Sequence, residues 1–276
     1  MSAPGLAPSS VLPHPPHRPR RRFSQNFLVD RDVVRRIVEA IDPRPGDTVV
    51  EIGPGLGALT TPLLERLPVL HAVEIDRDVA ASLFQRFSPE KLRLHVGDAL
   101  AFDFSSLGEA LRVVGNLPYH ICTPLLFRID RLHAGVRDCH FMLQKEVVER
   151  MAARPGSPQY GRLSVMLQYR WGITSLFDVP PEAFRPRPKV WSSVVRLVPH
   201  AQLPCRAVDE AMLARLVGAA FAQRRKTLRN ALRALLDEKA IAGCGVDPRL
   251  RAETLEVVQF VRLADAAAAQ ISASSG

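Results

Sequence analysis

Between Val49 and Leu64 the chain reads VVEIGPGLGALTTPLL, and this junction constrains the fold more than any other stretch. A short apolar-rich run ends in glycines at alternate positions, Gly53, Gly55 and Gly57, and a helix-forming segment follows at once. Such a turn carries a strand into a helix while leaving bare backbone that a ligand can approach. The same alternation recurs along the chain. RDVVRRIVEAI predicts an amphipathic helix, with Asp30 as N-cap and Val33, Val34, Ile37, Val38 and Ile41 on its apolar face. DTVVEIG, VLHAVEID, KLRLHVGDAL and LRVVGN read as strands, with helices predicted over ALTTPLLERL and RDVAASLFQRF; ICTPLLFRID and DCHFMLQ continue the pattern. Strands separated by crossovers of this length imply an α/β fold, a parallel sheet with helices on both faces.

The ends of the chain differ in character. Residues 1–22 hold six prolines, four arginines and no acidic residue, so they cannot build a core and are expected to form a disordered basic arm. Residues 23–202 carry the α/β pattern. From about residue 203 to 276 helical periodicity prevails, in AMLARLVGAAFAQRRKTLRNALRALL and ETLEVVQFVRLADAAAAQI, which predicts a small all-α domain. No apolar run is long enough for a transmembrane helix. The four cysteines lie far apart without a C-x-x-C pair, which argues against a zinc ribbon or a disulfide scaffold and suits a reducing cytoplasm. Thirty-seven Lys and Arg against twenty-eight Asp and Glu give a net charge of +9, which points towards a polyanionic partner.

Four strand ends carry polar or glycine signals. VEIGPGLG fits the loose pattern G-x-G-x-x-G/A once Ala58 is counted, so a nicotinamide dinucleotide is one reading. Pro54, which has no N–H to offer a pyrophosphate, and Glu51, which that fingerprint does not require, weigh against it. Glu74 in AVEID can accept both ribose hydroxyls of an adenosine-containing ligand. Asp98 in VGDAL can accept from an adenine amino group in the same crevice. At the fourth end stands Asn116-Leu117-Pro118-Tyr119. An exocyclic base amine is a poor nucleophile because its lone pair is delocalised into the ring. A side-chain amide oxygen and a backbone carbonyl aimed at its two protons localise that pair. Pro118 stiffens the arrangement, and the ring of Tyr119 offers a stacking surface.

Together RFSQNFL, VVEIGPGLGALT, AVEIDRD, GDAL, GNLPYHICTPL and PRPKVWSSVVRL resemble the KsgA family of small-subunit ribosomal RNA adenine N6,N6-dimethyltransferases, from about Arg22 to Leu236. The related macrolide-resistance 23S methyltransferases share the architecture, but typically carry a lysine in the glycine loop and an isoleucine in the tetrad. The resemblance implies a Rossmann-like methyltransferase sheet and S-adenosylmethionine as cofactor, with no metal. The cofactor's contacts would be Gln25, Asn26 and Leu28, Gly53 and Gly55, Glu74 at the ribose with Ile75, Asp98 and Ala99 at the adenine, and Asn116. Asn116 and the Leu117 carbonyl would hold the target amine, with Pro118 between them and Tyr119, and Tyr119 and Phe184 would sandwich the base. The implied partners are small-subunit rRNA and the immature small ribosomal subunit, met in the cytoplasm by a monomer.

Without the resemblance, QNFL reads as a capping region before a helix and EAFRPRPKV as a Pro-rich connection. The cluster Arg224, Arg225, Lys226 and Arg229 in QRRKTLRN suits RNA phosphates. No His or Lys stands where a strong base is expected, and none is needed, so a flat pH dependence near neutrality is expected. A DNA or 23S rRNA adenine methyltransferase, and a chiefly non-catalytic assembly factor on immature subunits, are the alternative readings.

Overall fold

The computed structural model describes residues 26–118 and 121–274. Its elements run β1 (Phe27–Leu28), α1 (Arg31–Ile41), β2 (Val49–Ile52), α2 (Thr60–Leu64), β3 (Leu70–Glu74), α3 (Arg77–Arg86), β4 (Leu92–Val96) and β5 (Leu111–Asn116). Then follow α4 (Cys122–Arg131), β6 (Val136–Gln144), α5 (Lys145–Ala152), α6 (Arg162–Gln168), β7 (Trp171–Val179), β8 (Phe184–Arg185) and β9 (Ser192–Pro199). The chain closes with α7 (Glu210–Ala222), α8 (Leu228–Ala231), α9 (Glu238–Gly243) and α10 (Val257–Ser274).

Seven strands form one sheet in the order β4-β3-β2-β5-β6-β9-β7, and β1 pairs separately with β8. β2 to β6 are parallel, whereas β9 runs antiparallel to β6. The order reverses between β2 and β5, which is where open α/β sheets bind ligands beyond their carboxyl ends. β2 and β5 approach closely because β5 carries Gly115: a Cβ there would lie 2.5 Å from the Ile52 carbonyl oxygen.

The helices form where the pattern dictates. Asp30 caps α1 by accepting from the N–H groups of Asp32 and Val33, and the face buried is Val33, Val34, Ile37, Val38 and Ile41. Each aliphatic side chain so buried contributes roughly 1.5–3 kcal/mol, which outweighs the four arginine and aspartate side chains that α1 leaves in solvent. That face packs with Leu63 of α2, Leu83 of α3, and Val49, Leu70 and Val114 of the sheet.

At the amino ends of the strands the sheet is tied by buried charge. The Arg112 guanidinium donates to both Asp138 carboxylate oxygens at 3.0 and 2.9 Å, to Asp47 at 2.8 Å, and to the carbonyls of Ile41 and Asp42. Burial alone would raise the Asp138 carboxyl, but His140 and Arg112 together outweigh it and hold it at about 2.

The chain divides into two compact units, one running through Lys145 and taking in Ser175–Leu197, the other comprising Glu146–Thr174 and Val198 onwards. The expected boundary near 203 therefore falls inside the second unit, which recruits α5 and α6 from the earlier part of the sequence. Local contacts explain the recruitment. Tyr160 meets Phe221 of α7 edge to face at 6.1 Å, Phe221 meets Phe260 of α10 at 5.6 Å, and Arg170 and Tyr169 both bond Glu210. No helix among the described residues is long and apolar enough to cross a membrane.

Candidate active site

The carboxyl ends of β2, β3, β4 and β5 open into a cavity of about 420 Å3, within the usual range for small-molecule sites. Asn26, Leu28, Gly53, Gly55, Glu74, Ile75, Asp98, Ala99, Asn116, Leu117 and Pro118 all line it, so the structure brings these sequence-predicted residues together. Gln25 and Tyr119 lie outside the described residues.

The glycine loop leaves β2 with Gly53 at φ +65° and its N–H on the Val73 carbonyl at 2.9 Å. A Cβ on Gly53 would meet no protein atom and would stand in the cavity, so the loop is a cradle that only glycine leaves open. Arg86 secures the loop from behind by donating to the Leu56 carbonyl at 2.5 Å. Glu74 accepts from the N–H groups of Asp76 at 2.8 Å and Gly55 at 3.3 Å. These bonds fix its orientation, and a carboxylate keeps further lone pairs for a diol. Burial pushes Glu74 above the ordinary carboxylate range, and the two N–H groups offset only part of that. Ile75, at 49% exposed, is an apolar surface on the wall, and Asp98 is set by accepting from the Leu100 N–H at 2.8 Å.

Asn116 ends β5 with its side-chain NH2 donating to the Asn26 carbonyl at 3.1 Å. That bond assigns the amide's orientation: the nitrogen is engaged, and Oδ1 is the group left to accept. Leu117 is anchored by its N–H on the Met142 carbonyl at 3.1 Å, and the Pro118 carbonyl starts the turn into α4 by accepting from Ile121.

Two residues depart from expectation. Phe184 is not on the cavity wall: it is 1% exposed, on β8, packed in the core with Val194 and Ala183. Its pairing with β1 buries it, and nothing in EAFRPRPKV signals that long-range pairing. Glu51, noted in the sequence only as foreign to a dinucleotide loop, is 2% exposed and on the cavity wall. Burial raises its carboxyl to about 7; the Thr60 hydroxyl, donating at 2.7 Å, pulls it down, and the nearby Glu74 charge pushes it up. The signal for Glu51 was an acid in an otherwise apolar strand.

In the second unit the basic cluster is divided. Arg224 donates to the Pro158 carbonyl at 2.6 Å and to that of Tyr160 at 3.4 Å, and Arg229 lies 3.7 Å from Glu238. All four, Arg224, Arg225, Lys226 and Arg229, are exposed.

A glycine cradle opposite an oriented acid, at the switch point of this sheet order, defines a class: a Rossmann-like fold with a site for an adenosine-containing cofactor. The residues present fit S-adenosylmethionine, because the glycine loop leaves room, Glu74 lines the cavity with lone pairs left for a ribose diol, and Glu51 can offer negative charge to a cation. Comparison with known proteins narrows the class. The profile of the ribosomal RNA adenine dimethylase family matches residues 16–269, and the chain belongs to that family. A protein named ribosomal RNA small subunit methyltransferase A from Aromatoleum aromaticum is 61% identical over 254 residues, 92% of this chain and 96% of that protein. Its namesake from Thiobacillus denitrificans is 61% identical over 244 residues, 88% and 96%. Among solved structures, a dimethyladenosine transferase from Plasmodium falciparum superposes with TM-score 0.73 at 24% identity, covering 86% of this chain and 95% of that one. The 23S rRNA methyltransferase ErmE superposes with TM-score 0.70 at 26% identity, covering 88% and 100%.

Proposed function

We propose that this chain dimethylates the N6 amines of two adjacent adenosines in a 3'-terminal hairpin of small-subunit rRNA, acting in the cytoplasm as a monomer on immature small subunits. The observation that carries the reading is Asn116, which lines the cavity and whose amide nitrogen donates to the Asn26 carbonyl, leaving Oδ1 as the acceptor. An oxygen so held accepts from an amine without taking its proton, which sharpens the amine's lone pair as the new bond forms. The relatives at 61% identity are named for the small subunit, which favours that rRNA over the 23S substrate of the more distant ErmE.

S-adenosylmethionine supplies a methyl already activated on a sulfonium, so the protein's task is placement and exclusion of water. Gly53 and Gly55, Glu74 and Ile75, and Asp98 and Ala99 would hold the cofactor, with Gln25, Asn26 and Leu28 closing over it. The Leu117 carbonyl joins Asn116 on the amine. Tyr119 stacks on the base, and Phe184, 1% exposed behind the cavity, would join it only on becoming accessible. Extrusion of the base costs a few kcal/mol, which such stacking offsets. Arg225 and Lys226 extend the RNA contact.

Mass spectrometry of nucleosides from small-subunit rRNA, with and without this protein, tests the assignment. N6,N6-dimethyladenosine should disappear without it, and persistence of that nucleoside would overturn the reading. Purified Asn116→Ala should transfer methyl at least ~100-fold more slowly, the scale of one lost transition-state hydrogen bond.

A further inference from the structure

The segment PRPKVW leads into β9 and ends on Trp191, which is 50% exposed beside Val190 at 43%. A large aromatic ring held half in solvent is unusual for a side chain that contributes most when buried. This ring is not on a floppy tip. The Trp191 carbonyl accepts from the Lys145 N–H at 2.9 Å, and the next residue, Ser192, is in register with Gln144 on the sheet. Pro186 and Pro188 stiffen the approach. The segment leading to the ring is basic: Arg185, Arg187 and Lys189 are exposed, with Arg187 ion-paired to Glu182, the one acid between Pro181 and Trp191.

Register places this ring relative to the reacting end of the sheet. Asn116 is level with Met142, Met142 with Val194, and Trp191 lies three residues further in the direction of the cavity. With strands about 4.8 Å apart and residues about 3.3 Å apart along them, Trp191 stands roughly 10 Å across and roughly 10 Å beyond Asn116. Together these offsets put the two backbone positions roughly 14 Å apart, a span of one to two extended nucleotides.

We propose that Trp191 is a stacking platform for an unpaired nucleotide of the substrate RNA, near the target in the strand and outside the cavity, with Lys189 tracking its phosphates. A cationic rim around an exposed π-face is the chemistry that binds single-stranded nucleic acid, and it does so without base selectivity. The proposal rests on the rRNA methyltransferase reading and adds a positioning residue to it.

The chain has two tryptophans, and Trp171 is 1% exposed, so Trp191 is the one open to quenchers. The experiment subtracts the fluorescence of Trp191→Phe from that of the full-length wild type. It then titrates in a hairpin RNA whose loop holds two adjacent adenosines, with a fully paired RNA of equal length as control. Stacking predicts that the hairpin quenches the Trp191 signal and shields it from acrylamide, while the duplex does neither. In steady-state methylation, Trp191→Ala should raise the KM for the hairpin about 10-fold with kcat and cofactor affinity unchanged, and Trp191→Phe should restore most of the loss. A Trp191 signal left accessible with RNA bound, or shielded only as protein concentration rises, overturns the platform even if methylation is normal. Failure of the wild type to methylate the hairpin strikes at the function instead, and the quenching result still decides the platform.

Discussion

Replacing Glu51 by glutamine tests the electrostatics of the cavity directly. Glu51 is 2% exposed and its carboxyl is held at about 7 by burial, against the partial relief of the Thr60 hydroxyl. Raising a carboxyl from 4.5 to about 7 corresponds to roughly 3 kcal/mol. The sign follows from proton binding. Between pH 4.5 and about 7 the folded chain holds a proton on Glu51 that the unfolded chain has released, so the stability this group contributes is full below 4.5 and is lost as pH rises through 7. Glutamine keeps an acceptor for Thr60 and removes the titration. Thermal unfolding followed from pH 5 to pH 9 should therefore show Glu51→Gln gaining on the wild type as pH rises, by about 5–10 °C above pH 8. Cofactor binding should show the converse. S-adenosylmethionine is cationic at its sulfonium, so wild-type affinity should strengthen from pH 6 to pH 8 and level off, while the variant stays flat. The flat profile expected from the lack of a base then belongs to the transfer step at saturating cofactor, not to binding. An offset in Tm that is the same at pH 5 and pH 9 would refute the argument, since it would mean that Glu51 is ionised throughout.

Three further perturbations have defined outcomes. Gly115→Ala forces a Cβ to 2.5 Å from the Ile52 carbonyl, where backbone must move, so urea unfolding should show a loss of about 1–3 kcal/mol or more. Arg112→Ala takes the guanidinium from the buried Asp138 carboxylate and should cost about 3–5 kcal/mol; Asp138, held at about 2, stabilises the wild type above the ordinary carboxylate range and loses that contribution as pH falls towards 2, a limb that calorimetry should find reduced in the variant, where His140 alone remains. Arg225→Gln with Lys226→Gln should weaken rRNA binding and reduce its salt slope by about 1–2 with Tm unchanged, whereas Arg224→Gln should lower Tm because its guanidinium serves two carbonyls.

What was legible in the sequence was local. Helix α1 follows from one capping aspartate and the spacing of five apolar residues, and the structure buries those five. Gly53, Glu74, Asp98 and Asn116 could be grouped because parallel strands deliver their carboxyl ends to one edge. Features made by pairing distant segments were not legible. The β1–β8 ladder that seals Phe184, the antiparallel insertion of β9 beside β6, and the union of α5 and α6 with the later helices leave no periodic trace. Arg224 shows the same limit for charge: its hydrogen bonds to the carbonyls of Pro158 and Tyr160, more than sixty residues away, could not be read from its neighbours in sequence. Glu51 required its burial to be seen before its titration near neutrality could be read.

The bond from Asn116 to the Asn26 carbonyl joins the amide at the end of β5 to a residue ninety positions earlier in the chain. Residue 26 is thus coupled to the cavity, and whatever pulls on it also turns the Asn116 amide. A fusion partner or purification tag on this side is mechanically coupled to chemistry in a way that one on α10 is not. Cutting the chain back to Phe27 would leave every strand of the large sheet in place and yet remove the carbonyl that Asn116 bonds together with Asn26 of the cavity wall, so a folded protein should lose both cofactor affinity and methyl transfer.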